Sequence, residues 1–158
     1  MTEQGKLYTF CGLVCFFVIL FDQATKFAVL AFIPSNALVP VCRGINLVLT
    51  LNYGTSFGLL SPNNVTQFYM IIALTLGCIV FILYMLLSMR NTFEKFFCSM
   101  LIGGAIGNLI DRFIHGAVID FVDIHYKTWH WPAFNFADMC ISCSVIAMIV
   151  YNMFAKEQ

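Results

Sequence analysis

Four long apolar stretches, broken by short polar connections, set the pattern of this chain. They run from about Leu7 to Phe32, Val65 to Met89, Phe96 to Ile114 and Phe136 to Phe154. A helix that crosses a bilayer needs about 20 mostly apolar residues, and each stretch meets that length. The first contains Asp22 and Lys26, the second has no charge, the third carries its charges at its far end, and the fourth has Asp138 near its start. Two of the connections have a different rhythm. In INLVLTLN, residues 45–52, Ile45, Leu47, Leu49 and Leu51 alternate with Asn46, Val48, Thr50 and Asn52, a period of two that predicts a strand. GAVIDFVDIHY, residues 116–126, is rich in β-branched and aromatic residues and is also strand-like. The pattern therefore predicts a membrane all-α bundle of four transmembrane helices with a small β-structure outside the spans.

Composition agrees. Of 158 residues, 61% are hydrophobic and only 10% charged, against roughly 25% charged in a soluble domain. The formal net charge is zero, which offers no basic face to nucleic acid. Seven cysteines, most of them within apolar runs, suit core packing better than a disulfide framework. The first stretch follows Lys6 as a signal peptide would, but it continues past Asp22 without a small-residue cleavage pattern, which predicts a retained helix. Four spans put both termini on one side. Lys6, Arg90, Lys95 and Lys156 lie there, against Arg43 and Lys127 on the other, so the positive-inside rule makes that side cytoplasmic. Tyr126, Trp129 and Trp131 suit an aromatic belt at the opposite interface. With no repeat, low-complexity tract or linker, residues 1–158 are expected to form one domain.

Threading the spans brings the polar residues to one level. Asp22 and Lys26 end the first span, Asn108, Asp111 and Arg112 end the third, and Asn135 and Asp138 begin the fourth, with Asn52 and Asp120 in the connections. All fall at the outer edge of the bilayer. Ionisable groups at membrane depth are costly and by default mark a functional site. Structural roles compete for most of them. Asp22 and Lys26 have the i,i+4 order of a helical ion pair. Asn108, Asp111 and Arg112 share one helix face and suit a helix end reaching the headgroups. Asn135-x-x-Asp138 has the form of a capping box. Asp120 interrupts the apolar run V-I-D-F-V and has no local structural role of that kind, so a buried carboxylate there calls for a partner.

Two carboxylates brought close cannot both ionise easily, and such a pair supplies a general base and a general acid to activated water. Other designs are weaker. His115, His125 and His130 lack the spacing of a zinc motif. Cys140 and Cys143 sit at i,i+3 in an apolar helix, where packing is the simpler role. Gly103-x-x-x-Gly107 suits close helix contact. No G-x-S-x-G is present. A small ion-coupled transporter is the alternative function, but a transport path calls for polar groups at several depths, and here they gather at one. A non-enzymatic lipid- or partner-binding protein, its acids serving as caps and anchors, is the other. From the residues alone Asp138 can pair with Asp120 or with Asp111. Arg112 beside Asp111 favours an ion pair there and leaves Asp120 to the dyad.

The stretches FDQATK (21–26), LNYGTSFGLL (51–60), GGAIGNLIDRFIHGAVIDFVD (103–123) and FNFAD (134–138), in this order, carry a resemblance to the lipoprotein signal peptidases, the type II signal peptidases of bacteria, along nearly the whole chain. The resemblance implies four transmembrane helices with an extracytoplasmic β-cradle and a small amphipathic helix. It implies a multi-pass enzyme of the bacterial cytoplasmic (inner) membrane, with both termini cytoplasmic and the active site facing outward. Its substrates would be prolipoproteins whose lipobox cysteine already carries diacylglycerol. The activity implied is that of an aspartic endopeptidase with no cofactor or metal, inhibited by globomycin. By matching motifs, the catalytic pair falls on Asp120 and Asp138, and supporting or substrate-binding roles on Asp22, Lys26, Asn52, Asn108, Asp111, Arg112 and Asn135. Ile119 stands where valine is common in the family and Phe136 at a variable position. Membrane lipid is an expected partner, nucleic acid is not, and a monomer suffices.

Overall fold

The computed structural model describes residues 2–35, 37–54 and 65–155. Four helices dominate it: α1 (Glu3–Phe32), α2 (Val65–Ser88), α3 (Thr92–His115) and α4 (Phe136–Ala155). All four are long and apolar enough to cross a membrane. The first starts four residues before the apolar run does, because the Thr2 hydroxyl accepts from Gly5 N (3.2 Å) and caps it. Likewise Asn91 caps α3 through Phe93 N (2.8 Å), which brings Thr92 to Lys95 into the helix.

Polarity is inverted relative to a soluble bundle. Phe16, Phe17, Phe27, Phe32, Val80 and Ile146 are exposed, while Asp22, Lys26, Asp111, Asp120 and Asn135 are 2% exposed or less. Lipid is as apolar as leucine, so packing here depends on close backbone approach more than on the hydrophobic effect. The glycines of α3 supply that approach. A Cβ on Gly103 would lie 2.9 Å from Val18 Cβ of α1, and one on Gly104 would lie 2.7 Å from the Ala137 carbonyl oxygen of α4. Helix α3 is accordingly the hub, packed against α1, α2 and α4. Gly107 meets Asp22 itself, whose Oδ2 would lie 2.5 Å from a Cβ. Because Asp22 is held from both sides, Gly107→Ala is expected to destabilise the protein by about 1–3 kcal/mol through overpacking. A drop in thermal unfolding temperature in detergent checks this, with Gly77→Ala, where a Cβ meets nothing, as the neutral control.

Above the bundle lies one antiparallel sheet, in the order β1 (Val39–Cys42), β2 (Ile45–Asn52), β3 (Val118–Tyr126), β4 (Trp129–His130). The two predicted strands are β2 and β3. The short outer pair, β1 and β4, has too little period to read in the sequence. In β2 the polar members of the alternation face the acids of β3: Asn46 pairs with Asp123 in register and Asn52 reaches Asp120, with a bulge between Leu47 and Thr50. Gly116 turns α3 into β3. It takes a left-handed conformation (φ +72°), where glycine is free of Cβ strain, and its N–H closes on Arg112 O at 3.1 Å. Among the described residues there is no separate short amphipathic helix. Residues 55–64, which include the TSFGLL part of the LNYGTSFGLL motif, lie outside those described, as does Lys156.

Candidate active site

The site is assembled where α1 and α3 end, α4 begins and β3 enters from above. Two hydrogen-bonded groups of side chains meet there.

The lower group centres on Lys26. Its ammonium lies 2.8 Å from Asp22 Oδ2, 2.8 Å from Asp111 Oδ2 and 2.9 Å from Asn108 Oδ1. The helical Asp22–Lys26 pair suggested by spacing is thus present, but it is one side of a buried triad. The ion pair expected between Asp111 and Arg112 is not: Asp111 turns to Lys26, and the Arg112 guanidinium donates to the carbonyls of Asn108 and Gly54, each at 3.4 Å. Adjacent residues of a helix point about 100° apart, so Arg112 cannot share the inward face of Asp111. Each acid also ties elements together. Asp22 Oδ1 accepts from Ala137 N (2.9 Å) at the start of α4, and Asp111 Oδ2 from Ile119 N (3.0 Å) at the start of β3.

Gln23 was not singled out by the sequence reading. Its amide donates to Asp111 Oδ1 (2.9 Å), and to Asp22 Oδ2 and the Gly107 carbonyl (both 3.2 Å). Its only sequence signal was its place inside the FDQATK motif. Asn46 and Asp123 were likewise missed. Burial raises the Asp123 carboxyl, but hydrogen bonds from Asn46 and His130 outweigh it and hold the group below its ordinary value. This cluster braces the sheet.

The upper group contains Asp120, Asp138 and their asparagines. Asn135 and Asp138 form the reciprocal capping box that their spacing suggested: Asp138 N donates to Asn135 Oδ1 (2.9 Å) and Asn135 N to Asp138 Oδ2 (3.2 Å). The same two residues do more than cap. Asn135 Nδ2 donates to Asp120 Oδ1 (2.7 Å), and Asn108 Nδ2 donates to Asp138 Oδ1 (2.8 Å). Asp120 Oδ2 accepts from Asn52 Nδ2 (2.9 Å). Both carboxylates therefore converge on Asn135. They are brought there because the backbone of Phe134 makes three hydrogen bonds with β3, accepting from Phe121 N and Val122 N and donating to Val122 O.

Lys26 decides the polarity of this network. An ammonium only donates, so Asn108 must turn Oδ1 toward it. That leaves Asn108 Nδ2 facing Asp138, where it stabilises the ionised carboxylate. Asn108 Oδ1 also receives Asn135 Nδ2 (3.1 Å). Asp120 is pushed up to about 7, first by burial and then by the charge of Asp138, against the hydrogen bonds from Asn52 and Asn135 and the charge of Lys26. Its carboxyl can therefore hold or release a proton near neutrality.

Among the described residues, no group of three or more His, Cys, Asp and Glu side chains is placed to hold a metal ion. His125 and His130 stack on each other, and His130 pairs with Asp123. All seven cysteines, each of them described, are free thiols. Beside Asp138 opens a cavity of about 600 Å³, walled by Trp129, Trp131, Phe134, Met139 and Cys143. It is largely apolar and leads from the carboxylate toward exposed tryptophans of the kind found at membrane interfaces.

Comparisons with known proteins agree on one group. Residues 14–154 match the family model described as signal peptidase (SPase) II. A lipoprotein signal peptidase of Thermodesulfovibrio yellowstonii is 39% identical over 149 residues, covering 94% of this chain and 97% of that protein. One of Burkholderia mallei is 40% identical over 151 residues, covering 94% and 89%. Two solved structures of bacterial membrane enzymes superpose well. One has a TM-score of 0.80 at 28% identity, covering 94% of this chain and 90% of its own, and the other has 0.77 at 30% identity, covering 90% and 91%.

Proposed function

This chain belongs to the signal peptidase II family of aspartic peptidases, and on that premise we propose that it removes the signal peptide from diacylglyceryl-modified prolipoproteins, with Asp120 and Asp138 as the catalytic pair. The observation that carries the assignment is the convergence of these two carboxylates on Asn135 while the neighbouring acids, Asp22 and Asp111, are both engaged by Lys26. Asp111, the rival partner for Asp138, has both oxygens occupied by Gln23, Lys26 and Ile119 N.

In the working state the pair holds one proton. The ionised member takes a proton from water as the water oxygen bonds to the carbonyl carbon preceding the lipidated cysteine. The protonated member gives its proton to the carbonyl oxygen. When the tetrahedral adduct collapses, the C–N bond breaks, the leaving amine takes a proton through the dyad, and the pair returns to its single proton. No covalent acyl-enzyme forms and no metal takes part. Asn108 and Asn135 orient the pair, and Asn52 anchors Asp120 from the sheet.

The site faces the extracytoplasmic side and both termini are cytoplasmic. This reading rests on Lys6, Arg90 and Lys95 at the far end of the bundle and on the exposed Tyr126, Trp129 and Trp131 near the carboxylates. Catalysis at that depth suits a substrate whose cysteine is anchored in lipid: the acyl chains stay in the bilayer while the peptide crosses the dyad. Every group named comes from one chain, so a monomer suffices. Globomycin is the expected inhibitor.

The test is precursor processing in proteoliposomes, with a prolipoprotein supplied either diacylglyceryl-modified or unmodified. Cleavage of the modified form alone, unaffected by chelator and blocked by globomycin, is expected; cleavage of both forms alike refutes the substrate assignment. In the same assay kcat/KM is expected to fall on the alkaline side with an apparent pKa of about 7. The sign follows from the single proton. Above that value Asp120 ionises, both carboxylates carry charge, and the acid is lost. A flat profile through neutrality removes Asp120 from the proton-holding role.

A further inference from the structure

One buried cation has no part in this chemistry. Lys95 lies in the first turn of α3, thirteen residues before Asn108, or about 20 Å along the helix. It is 3% exposed. Among the described residues its ammonium has no hydrogen bond or ion pair, only the face of Tyr8 at 4.2 Å. Ring contact offsets part of the desolvation of a cation, but a helix N-terminus is the end that repels it. Local structure therefore gives no reason for a lysine here.

Lys95 lines a cavity of about 680 Å³ between the start of α1 and the α2–α3 turn, together with Lys6, Arg90, Thr92 and Glu3. Three cations thus face one carboxylate. That carboxylate, Glu3, is paired with Lys6 at 2.7 Å, and both are well exposed, so the pair does little to consume the charge. Arg90 is exposed and, among the described residues, likewise has no acidic partner. The N-terminal turn of α3, although capped by Asn91, adds its positive end to the same space. The whole lies at the end of a bundle of membrane-spanning helices, the depth at which lipid phosphates sit.

We propose that this cavity binds a phosphate oxyanion, supplied by the headgroup of an anionic phospholipid, with Lys95 at its base and Arg90 and Lys6 at its mouth. Basic pockets between helices at a membrane face recognise such headgroups through charge and geometry together. A zwitterionic lipid has the same phosphate, but its cationic group meets Lys6 and Arg90 and is repelled.

The test uses the full-length chain, delipidated in a neutral detergent and titrated with phosphatidylglycerol, phosphatidylcholine or inorganic phosphate, with bound ligand counted by native mass spectrometry. One phosphatidylglycerol per chain is expected to bind in preference to phosphatidylcholine. Each of Lys95→Gln and Arg90→Gln is expected to weaken it roughly fivefold or more, the worth of one cation at such a surface, while Lys95→Arg retains it. Arg90 is exposed, so its variant decides the matter even where Lys95→Gln fails to fold. Arg90→Gln should also cleave precursor normally, which separates this site from the dyad. Equal binding of phosphatidylglycerol by wild type and Arg90→Gln, or equal binding of both lipids, overturns the proposal. Displacement of the lipid by inorganic phosphate alone keeps the oxyanion site and overturns the lipid as its source.

Discussion

Asp120→Asn and Asp138→Asn are each expected to lower precursor cleavage by at least about 10³-fold, the scale of a lost acid–base group, with the chain still folded. The substitution keeps the shape of the side chain, removes its charge and its ability to exchange a proton, and turns one acceptor oxygen into an NH2 donor. Structural roles survive it to different degrees. An asparagine at 138 still accepts one of its two hydrogen bonds, from Asn135 N or from Asn108 Nδ2, and an asparagine at 120 keeps the bond from one of Asn52 and Asn135 and turns its NH2 on the other. Both variants should therefore stay folded, with an unfolding temperature lowered by the loss of one hydrogen bond each. Asp111→Asn is the informative comparison. It weakens the bond to Lys26 and the anchor of Ile119, so its main effect should be on stability, with cleavage per folded molecule much less reduced. Cleavage measured at matched levels of folded protein distinguishes the three. A well-folded Asp111→Asn chain as inactive as Asp120→Asn would reopen the choice of partner for Asp138.

Lys26→Met should have the second largest effect, through both stability and chemistry. The change leaves Asp22 and Asp111 buried with no cation between them, and breaking a buried pair in this way costs about 3–5 kcal/mol. Beyond that loss, only Asn135 Nδ2 still holds the Asn108 oxygen, and the Asn108 amide turns its donor away from Asp138 more readily. Lys26 is in this sense a positioning residue. Two measurements separate positioning from simple scaffolding. First, the charge of Lys26 helps to hold the Asp120 carboxyl down, so its removal is expected to shift the alkaline limb of kcat/KM to higher pH. Second, once Asn108→Ala is present, Lys26→Met should lower activity per folded molecule by much less than it does alone, since both act on the same hydrogen bond to Asp138. Full additivity with an unmoved pH profile would reduce Lys26 to a structural ion.

Both expectations turn on side chains whose depth was legible in the sequence and whose partners were not. Residues along a helix rise by about 1.5 Å each, so the positions of Asp22, Lys26, Asn108, Asp111 and Asp138 within their apolar runs placed them at one level before any fold was known. The N-cap spacing of Asn135 and Asp138 is a local property too, and it appears as a capping box. A structural role for Asn135 and Asp138 does not exclude the proposed catalytic one: the cap holds the carboxylate still at the place where it meets Asn108. Asp111 and Arg112 went the other way. Neighbours in sequence, they point to different sides of α3, and the true partner of Asp111 comes from α1, 85 positions earlier.

By itself the sequence determined the four spans, the two longer strands, the level at which the charges gather and, through its motifs, the family. These follow from hydropathy, period and spacing, which act within one element at a time. Only the tertiary structure shows that Asp120 and Asp138 both accept from Asn135, that Gln23 joins the lower cluster, that the polar face of β2 turns to β3, and that Lys95 is buried at the far end. Each of these depends on the rotation of one element against another. That rotation is set by contacts between distant parts of the chain: Gly103 and Gly107 of α3 on α1, Gly104 on α4, and Phe134 on β3. No periodicity within a single helix or strand can encode such a rotation, because it exists only once the pieces have packed.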